Sequence, residues 1–176
     1  MSSFTPRFTV PANNDPLYTR PSDGGVNPCI PGNPEAWPGS VLANCVGYCW
    51  GRWWEILGSN PHLCPYDAKY WYAYNDGYTR GTEPRLGAIM CWDASSGHVA
   101  VVEQVIDPDT VITSNSAYGQ TIFYTQVLRR ANNWTWNSAF TFQGFIYLPG
   151  GVMSEELLSI LSIALRRRKG KRKKLV

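Results

Sequence analysis

Eight of the thirteen prolines in this 176-residue chain fall within its first forty residues (Pro6, Pro11, Pro16, Pro21, Pro28, Pro31, Pro34 and Pro38). Proline lacks the amide proton that helical and sheet ladders need and fixes φ, so this stretch cannot be a run of helices. It predicts an extended arm over residues 1–40 that wraps whatever follows, with Asp23-Gly24-Gly25 as a turn. Phe4, Phe8, Leu17, Tyr18 and Trp37 supply apolar anchors, so the arm reads as ordered.

Beyond the arm the pattern becomes helical. Asn44 is a favoured N-cap, and Val46, Cys49, Trp50, Trp53, Trp54 and Leu57 recur at helical spacing. A helix is expected from about Leu42 to Leu57, closed by Gly58 as its C-cap. A second, short helix is expected from Asp67 to Tyr74. The pattern then turns to strands over Ala88–Trp92, His98–Ile106, Thr110–Ser114, Ile122–Leu128 and Phe140–Tyr147, with Asp107-Pro108-Asp109 as one of the turns. N-terminal helices followed by an antiparallel strand run define an α+β domain, with helices packed on one face of a sheet. The expected organisation is an arm over 1–40, a domain over 41–149, and a hinge and tail over 150–176.

The tail opens at Ser154 with a capping signature and continues to about Leu165 as an apolar segment. Twelve helical residues span about 18 Å, too little to cross a bilayer. Arg166, Arg167, Arg168, Lys169, Lys171, Arg172, Lys173 and Lys174 follow it, half of the sixteen basic residues. The remaining eight basic residues stand against thirteen acidic ones, a net of −5, so the overall +3 belongs to the tail. The basic balance therefore gives no reason to expect nucleic acid on the folded domain. A basic amphipathic helix suits an anionic membrane or wall polymer, or a virion protein, as partner. Met1 to Pro6 has no basic segment leading into an apolar run, so no secretory signal is expected there.

The five cysteines (Cys29, Cys45, Cys49, Cys64 and Cys91) show no paired zinc spacing, and His62 and His98 lack ligand spacing to them. The acidic residues of the arm (Asp15, Asp23 and Glu35) lack the regular spacing of a calcium loop. No metal and no cofactor are expected. Cys45, in contrast, falls in the first turn of the expected helix. There the unpaired amides and the positive dipole end favour a thiolate, and Asn44 is a neighbouring candidate donor to an oxyanion.

A cysteine nucleophile needs a base, and the base needs a partner that fixes its tautomer. His98 opens a strand just after a Ser-Ser-Gly turn and is the expected base; His62, in a proline-flanked loop, is the alternative. Asn115 returns level with His98 across the Asp107–Asp109 hairpin and is the expected orienter. Glu103, five residues along the strand from His98, falls on the opposite face. Eight tryptophans and ten tyrosines exceed what a core of this size needs, which makes an aromatic groove a candidate. Trp50, Trp53, Trp54 and Trp71, with Tyr72 and Tyr74, are its expected lining.

The blocks Asn44-Cys45-Val46-Gly47-Tyr48-Cys49-Trp50-Gly51-Arg52, Gly97-His98-Val99-Ala100-Val101-Val102-Glu103 and Ser114-Asn115-Ser116-Ala117-Tyr118 resemble, in order, those of the CHAP domain. CHAP domains are cysteine, histidine-dependent amidohydrolases/peptidases of the papain-like NlpC/P60 superfamily, common in bacteriophage lysins and bacterial wall hydrolases. The resemblance covers roughly residues 40–148. It implies Cys45 as nucleophile, His98 as base and Asn115 as orienter, although many members carry an acidic residue near that third position. It also implies a peptidoglycan substrate, cut as an endopeptidase or as an N-acetylmuramoyl-L-alanine amidase. With no signal segment, the resemblance points to a phage endolysin made in the host cytoplasm and released by a holin, or to a lysin carried in the virion tail. The competing readings are a virion tail or wall-binding structural protein with the same fold, and a papain-like peptidase acting on protein.

Overall fold

The computed structural model of the chain describes residues 3–32, 37–150 and 153–154. Its centre is an α+β unit of one α-helix, α1 (Cys45–Leu57), and a six-stranded antiparallel sheet. The strands are β2 (Arg80–Gly81), β3 (Ile89–Asp93), β4 (His98–Asp107), β5 (Thr110–Asn115), β6 (Tyr124–Arg129) and β7 (Thr141–Ile146). Their order across the sheet is β2-β7-β3-β4-β5-β6. Two further two-residue strands, β1 (Ser3–Phe4) and β8 (Met153–Ser154), pair with each other in parallel.

The helix begins at Cys45, three residues later than expected, because the cap fixes it there. Asn44 is extended (φ −162°, ψ 124°), and its Oδ1 accepts from the amides of Val46 at 2.9 Å and Gly47 at 3.4 Å. Gly58 ends the helix in the left-handed region, where its amide reaches the Trp54 carbonyl at 2.8 Å. The expected helix over Asp67–Tyr74 is instead a 3₁₀ turn (Ala68–Tyr70) followed by further turns. Arg80 closes this segment: its guanidinium, paired with Asp76, takes the carbonyls of Trp71, Tyr72 and Tyr74 at 3.1, 3.0 and 2.6 Å, which a helix ending at Tyr74 would leave without an intrahelical partner. Among the described residues there is therefore one α-helix. The expected C-terminal helix lies almost wholly outside them, and its first residue, Ser154, pairs with Phe4 in a strand.

Strand β4 is central to the core. Its first six residues are buried on both faces. Val99 and Val101 meet Tyr48, Cys49 and Trp53 of the helix, while Ala100 and Val102 meet Met90, Trp92, Phe145 and Trp134 on the other side. Burial of each such large side chain contributes roughly 1.5–3 kcal/mol. Trp53, fully enclosed, also donates to the Gly87 carbonyl at 2.7 Å, so its one polar atom is satisfied.

The arm is anchored by the buried Phe4 and Tyr18 and the partly buried Leu17 and Trp37, whereas Phe8, expected as an anchor, is 47% exposed. It makes two 3₁₀ turns, Pro16–Tyr18 and Pro21–Asp23, and a bridge between Thr19 and Ser40. It also lies directly on α1. A Cβ at Gly47 would meet Val41 Cγ2 at 2.7 Å, and one at Gly51 would meet the Leu17 carbonyl and the Tyr18 ring at 2.7 Å each. Only hydrogen fits on that helix face. The buried amide of Asn27 bridges the two elements, donating to Leu17 O at 2.7 Å and Gly47 O at 2.9 Å.

Charge fastens the same junction. Glu103, fully buried, accepts from Arg52 Nε at 2.9 Å and Nη2 at 2.8 Å, from Ser114 Oγ at 2.7 Å, and from the Arg7 amide at 2.8 Å. Arg52 continues to Glu55 and to the Thr5 carbonyl, and Arg7 pairs with Glu55. Glu103 thus faces the helix, away from His98, and is occupied in holding helix, sheet and arm together.

Candidate active site

The three elements that carry the sequence blocks converge on one end of the sheet. Cys45 sits in the first turn of α1, and its sulfur is close enough to the amides of Val99, Val46 and Cys45 itself to be stabilised by them. Val99 follows His98 in the chain. A cleft of about 580 Å³ opens there, lined among others by Asn44, Cys45, Ser96, Gly97, Cys29 and Tyr118.

His98 is 7% exposed, and its Nε2 lies 3.2 Å from Asn115 Oδ1. The direction of this contact follows from the atoms behind it. Thr113 Oγ1 donates its single proton to the Gln126 carbonyl at 3.3 Å, so toward Asn115 it accepts, taking Nδ2–H at 2.9 Å. Asn115 must then present its oxygen to the imidazole, and Nε2 must carry the proton. That leaves Nδ1 as the basic nitrogen. The ring is walled by Trp92, Trp136 and Phe140, with centroids 5.7, 5.5 and 6.3 Å away.

Thr113 was not anticipated, although the signal was available: two residues before Asn115 on a strand is the same face. Thr113→Val preserves shape but frees the Asn115 amide to turn. A drop in kcat/KM of about ten-fold is expected, with Thr113→Ser near wild type; equal rates for both variants would remove Thr113 from the relay.

Protonation runs opposite to the expectation from the helix dipole. Burial pushes the Cys45 thiol up to about 11, outweighing the pull of the backbone amides, and Asp67 adds to the rise. Burial also pushes His98 down to about 4, with the Asn115 contact acting against it. At neutral pH Cys45 rests as a thiol and His98 as a neutral imidazole. No hydrogen bond joins the Cys45 sulfur to His98 in this resting arrangement, whereas His98 and Asn115 are joined.

The other expected residues fall elsewhere. His62, in an exposed loop at φ +50°, is held by its own amide to Asn60 Oδ1 and takes no part in the cleft. Asn44 is committed as the helix cap, and its Nδ2 reaches the Ile30 carbonyl at 3.3 Å. The tryptophan groove is corrected. Trp53 and Trp71 are fully enclosed and Trp50 is 4% exposed, all three within the core beneath the helix, so they cannot line a groove. Trp54, half-buried, stacks on Trp50 at 4.8 Å. Aromatic periodicity along a helix marked the buried face. The rings beside the cleft come from the following loop, as Tyr66 and Tyr70. All five cysteines are free thiols.

A cysteine at a capped helix terminus is packed here against an antiparallel sheet that presents a His–Asn pair, within an α+β fold. Residues 35–117, which include Cys45, His98 and Asn115, match the family model of the CHAP domain. No curated protein matches the chain. Among solved structures it is similar to an N-acetylmuramoyl-L-alanine amidase from Staphylococcus aureus. The identity is 20% and the TM-score 0.45, over 60% of this chain and 31% of that one. The chain thus spans about a third of the length of that structure.

Proposed function

We propose that this protein is a peptidoglycan hydrolase in which Cys45 attacks an amide carbonyl of the wall peptide, His98 moves the proton and Asn115 orients the imidazole. The observations that support the reading are the polar relay ending on His98 and a helix-terminal cysteine on α1, which packs against the His98 strand, all within residues that match the CHAP domain model. Because the resting groups are both neutral, attack is general-base assisted. His98 Nδ1 takes the thiol proton as the S–C bond forms, and the carbonyl electrons move onto oxygen. The Cys45 amide at the start of α1 stabilises that oxyanion, because the Val46 and Gly47 amides are taken by the Asn44 cap. Collapse breaks the C–N bond, and the imidazolium returns its proton to the leaving amine. Water, deprotonated by His98, then cleaves the thioester and frees the acid and the thiol. The imidazole must swing to the sulfur when substrate enters, a tightening common in complexes of this kind.

The sequence blocks support a phage lysin, acting after holin-dependent release or from a virion, and the basic tail supports an anionic wall polymer or membrane as its second contact. The test is turbidity clearing of purified walls by wild type and Cys45→Ser, with mass spectrometry of the fragments. Clearing is expected to disappear with serine. New amino groups on cross-bridge or stem residues identify an endopeptidase, and a new amino group on L-alanine identifies an amidase. Clearing that survives in Cys45→Ser would overturn the cysteine mechanism.

A further inference from the structure

Two tyrosines beside the cleft, Tyr66 and Tyr70, are exposed in a way their backbone does not require, with a third, half-buried Tyr74, behind them. Tyr66 is 60% exposed and Tyr70 51%, yet the segment beneath them is firmly held. The buried Trp71 indole donates to the Tyr66 carbonyl at 3.1 Å. The Lys69 amide donates to Ser96 O at 3.1 Å, tying the 3₁₀ turn to the β3–β4 turn that precedes His98, and the Tyr74 amide reaches Tyr70 O at 3.0 Å. The rings set one another edge-on, with Tyr66 6.5 Å from Tyr70 and 6.0 Å from Tyr74. Lys69 Nζ sits 5.1 Å over the Tyr70 ring and donates to Ser95 O, so that ring is fixed from one side.

Tyr66 and Tyr70 line the cleft that contains Cys45, and the same two rings wall a second concavity of about 490 Å³ with Ala73 and Tyr74. The two hollows therefore meet along a shared aromatic ridge, so a ligand in the outer one is continuous with whatever lies over the sulfur. Large apolar rings left in water on a rigid support mark a binding surface, because their ordering cost is met before the ligand arrives.

From this placement we infer that the Tyr66–Tyr70–Tyr74 shelf is a saccharide subsite, which holds the glycan strand of the substrate while its peptide lies over Cys45. The chemistry selects a sugar. A pyranose offers an apolar C–H face to stack on a ring and a rim of hydroxyls for phenol groups and water, and tyrosine is apolar on its face and polar at its tip. The three side chains of the shelf carry no charge, which suits a polyhydroxylated ring better than an ionic stem peptide. This inference rests on the wall-hydrolase reading for its substrate, but it predicts binding that is independent of turnover.

The experiment titrates Cys45→Ser protein with a tetramer of N-acetylglucosamine and, separately, with a free stem peptide, following both by NMR shifts. Saturable saccharide binding is expected, with shifts at Tyr66, Tyr70 and Tyr74. Tyr66→Ala/Tyr70→Ala is expected to weaken it about ten-fold or more and to leave stem-peptide binding unchanged, while Tyr66→Phe/Tyr70→Phe keeps most of it. Both positions are exposed, so the double alanine variant folds. Saccharide binding that survives the double alanine change, or a loss shared equally by the peptide, overturns the subsite. In the Cys45-intact chain, absence of wall clearing with saccharide binding retained would sink the hydrolase reading alone. Clearing that is indifferent to the double alanine change would sink the subsite alone.

Discussion

Alanine at His98 is expected to lower hydrolysis by at least about 10³-fold while the fold survives, since in the proposed mechanism this one imidazole serves as base in both half-reactions. Near-ultraviolet circular dichroism reports the fold, and kcat/KM on purified walls reports the chemistry. Wild-type-like residual rates would transfer the role to His62. The wild-type pH profile carries a second signature. Burial disfavours the imidazolium and holds His98 at about 4, so the basic form persists well below neutrality and the acid limb of kcat/KM is expected near pH 4. The sign for stability is set by the same shift. An unfolded histidine titrates near 6.5, so between about 6.5 and 4 the unfolded chain binds more protons than the native one. Stability therefore falls as pH drops through that window, by about 3 kcal/mol for the whole shift. His98→Ala is expected to flatten that part of the curve. On the alkaline side the thiol held near 11 acts in the opposite sense: the unfolded cysteine ionises first, and stability declines as pH rises from about 9 to 11.

The largest effect on stability is expected at Arg52. Arg52→Met leaves the fully buried Glu103 carboxylate with Ser114 Oγ and the Arg7 amide only, and removing one partner of a buried pair costs about 3–5 kcal/mol. For a chain of this size that lowers Tm by roughly 6–20 °C. The double variant Arg52→Met/Glu103→Met is expected to recover part of the loss, because the stranded charge goes with its partner. Thermal unfolding of the two single variants and the double gives the coupling. A double variant no more stable than Arg52→Met would mean that Arg52 acts through Glu55 and the Thr5 carbonyl.

How much of this was legible in the sequence depended on whether the signal was local. Asn44 and Gly58 bracket the helix by their own conformational preferences, so Cys45 was placed correctly from a handful of neighbours. The level pairing of His98 and Asn115 followed from strand alternation and one tight turn, and that is a two-parameter argument. What escaped was set by partners distant in the chain. The 67–74 segment forms a 3₁₀ turn and further turns closed by Arg80, and nothing in the local propensities announces that partner. Glu103 could be put on the far face from His98, but its meeting with Arg52, fifty-one residues away, could not be seen. The tryptophans misled for a related reason: helical spacing identifies a face, and only packing tells whether that face looks at a sheet or a ligand. The ionisation of Cys45 was misjudged because a helix terminus lowers a thiol only while water or charge remains near it, and here burial outweighed the dipole.

The two glycines of α1 carry a cost that outlives the docking they permit. Each weakens an isolated helix by about 1 kcal/mol relative to alanine, and a thirteen-residue helix is marginal in water even without them. The segment that bears Cys45 therefore has little persistence of its own; it is kept helical by the arm on one side and β4 on the other. Opening of the arm and fraying of the helix become one local unfolding event, with the sheet left standing. Loss of the setting around Cys45 is then the first damage this molecule suffers under stress, ahead of any loss of its overall shape.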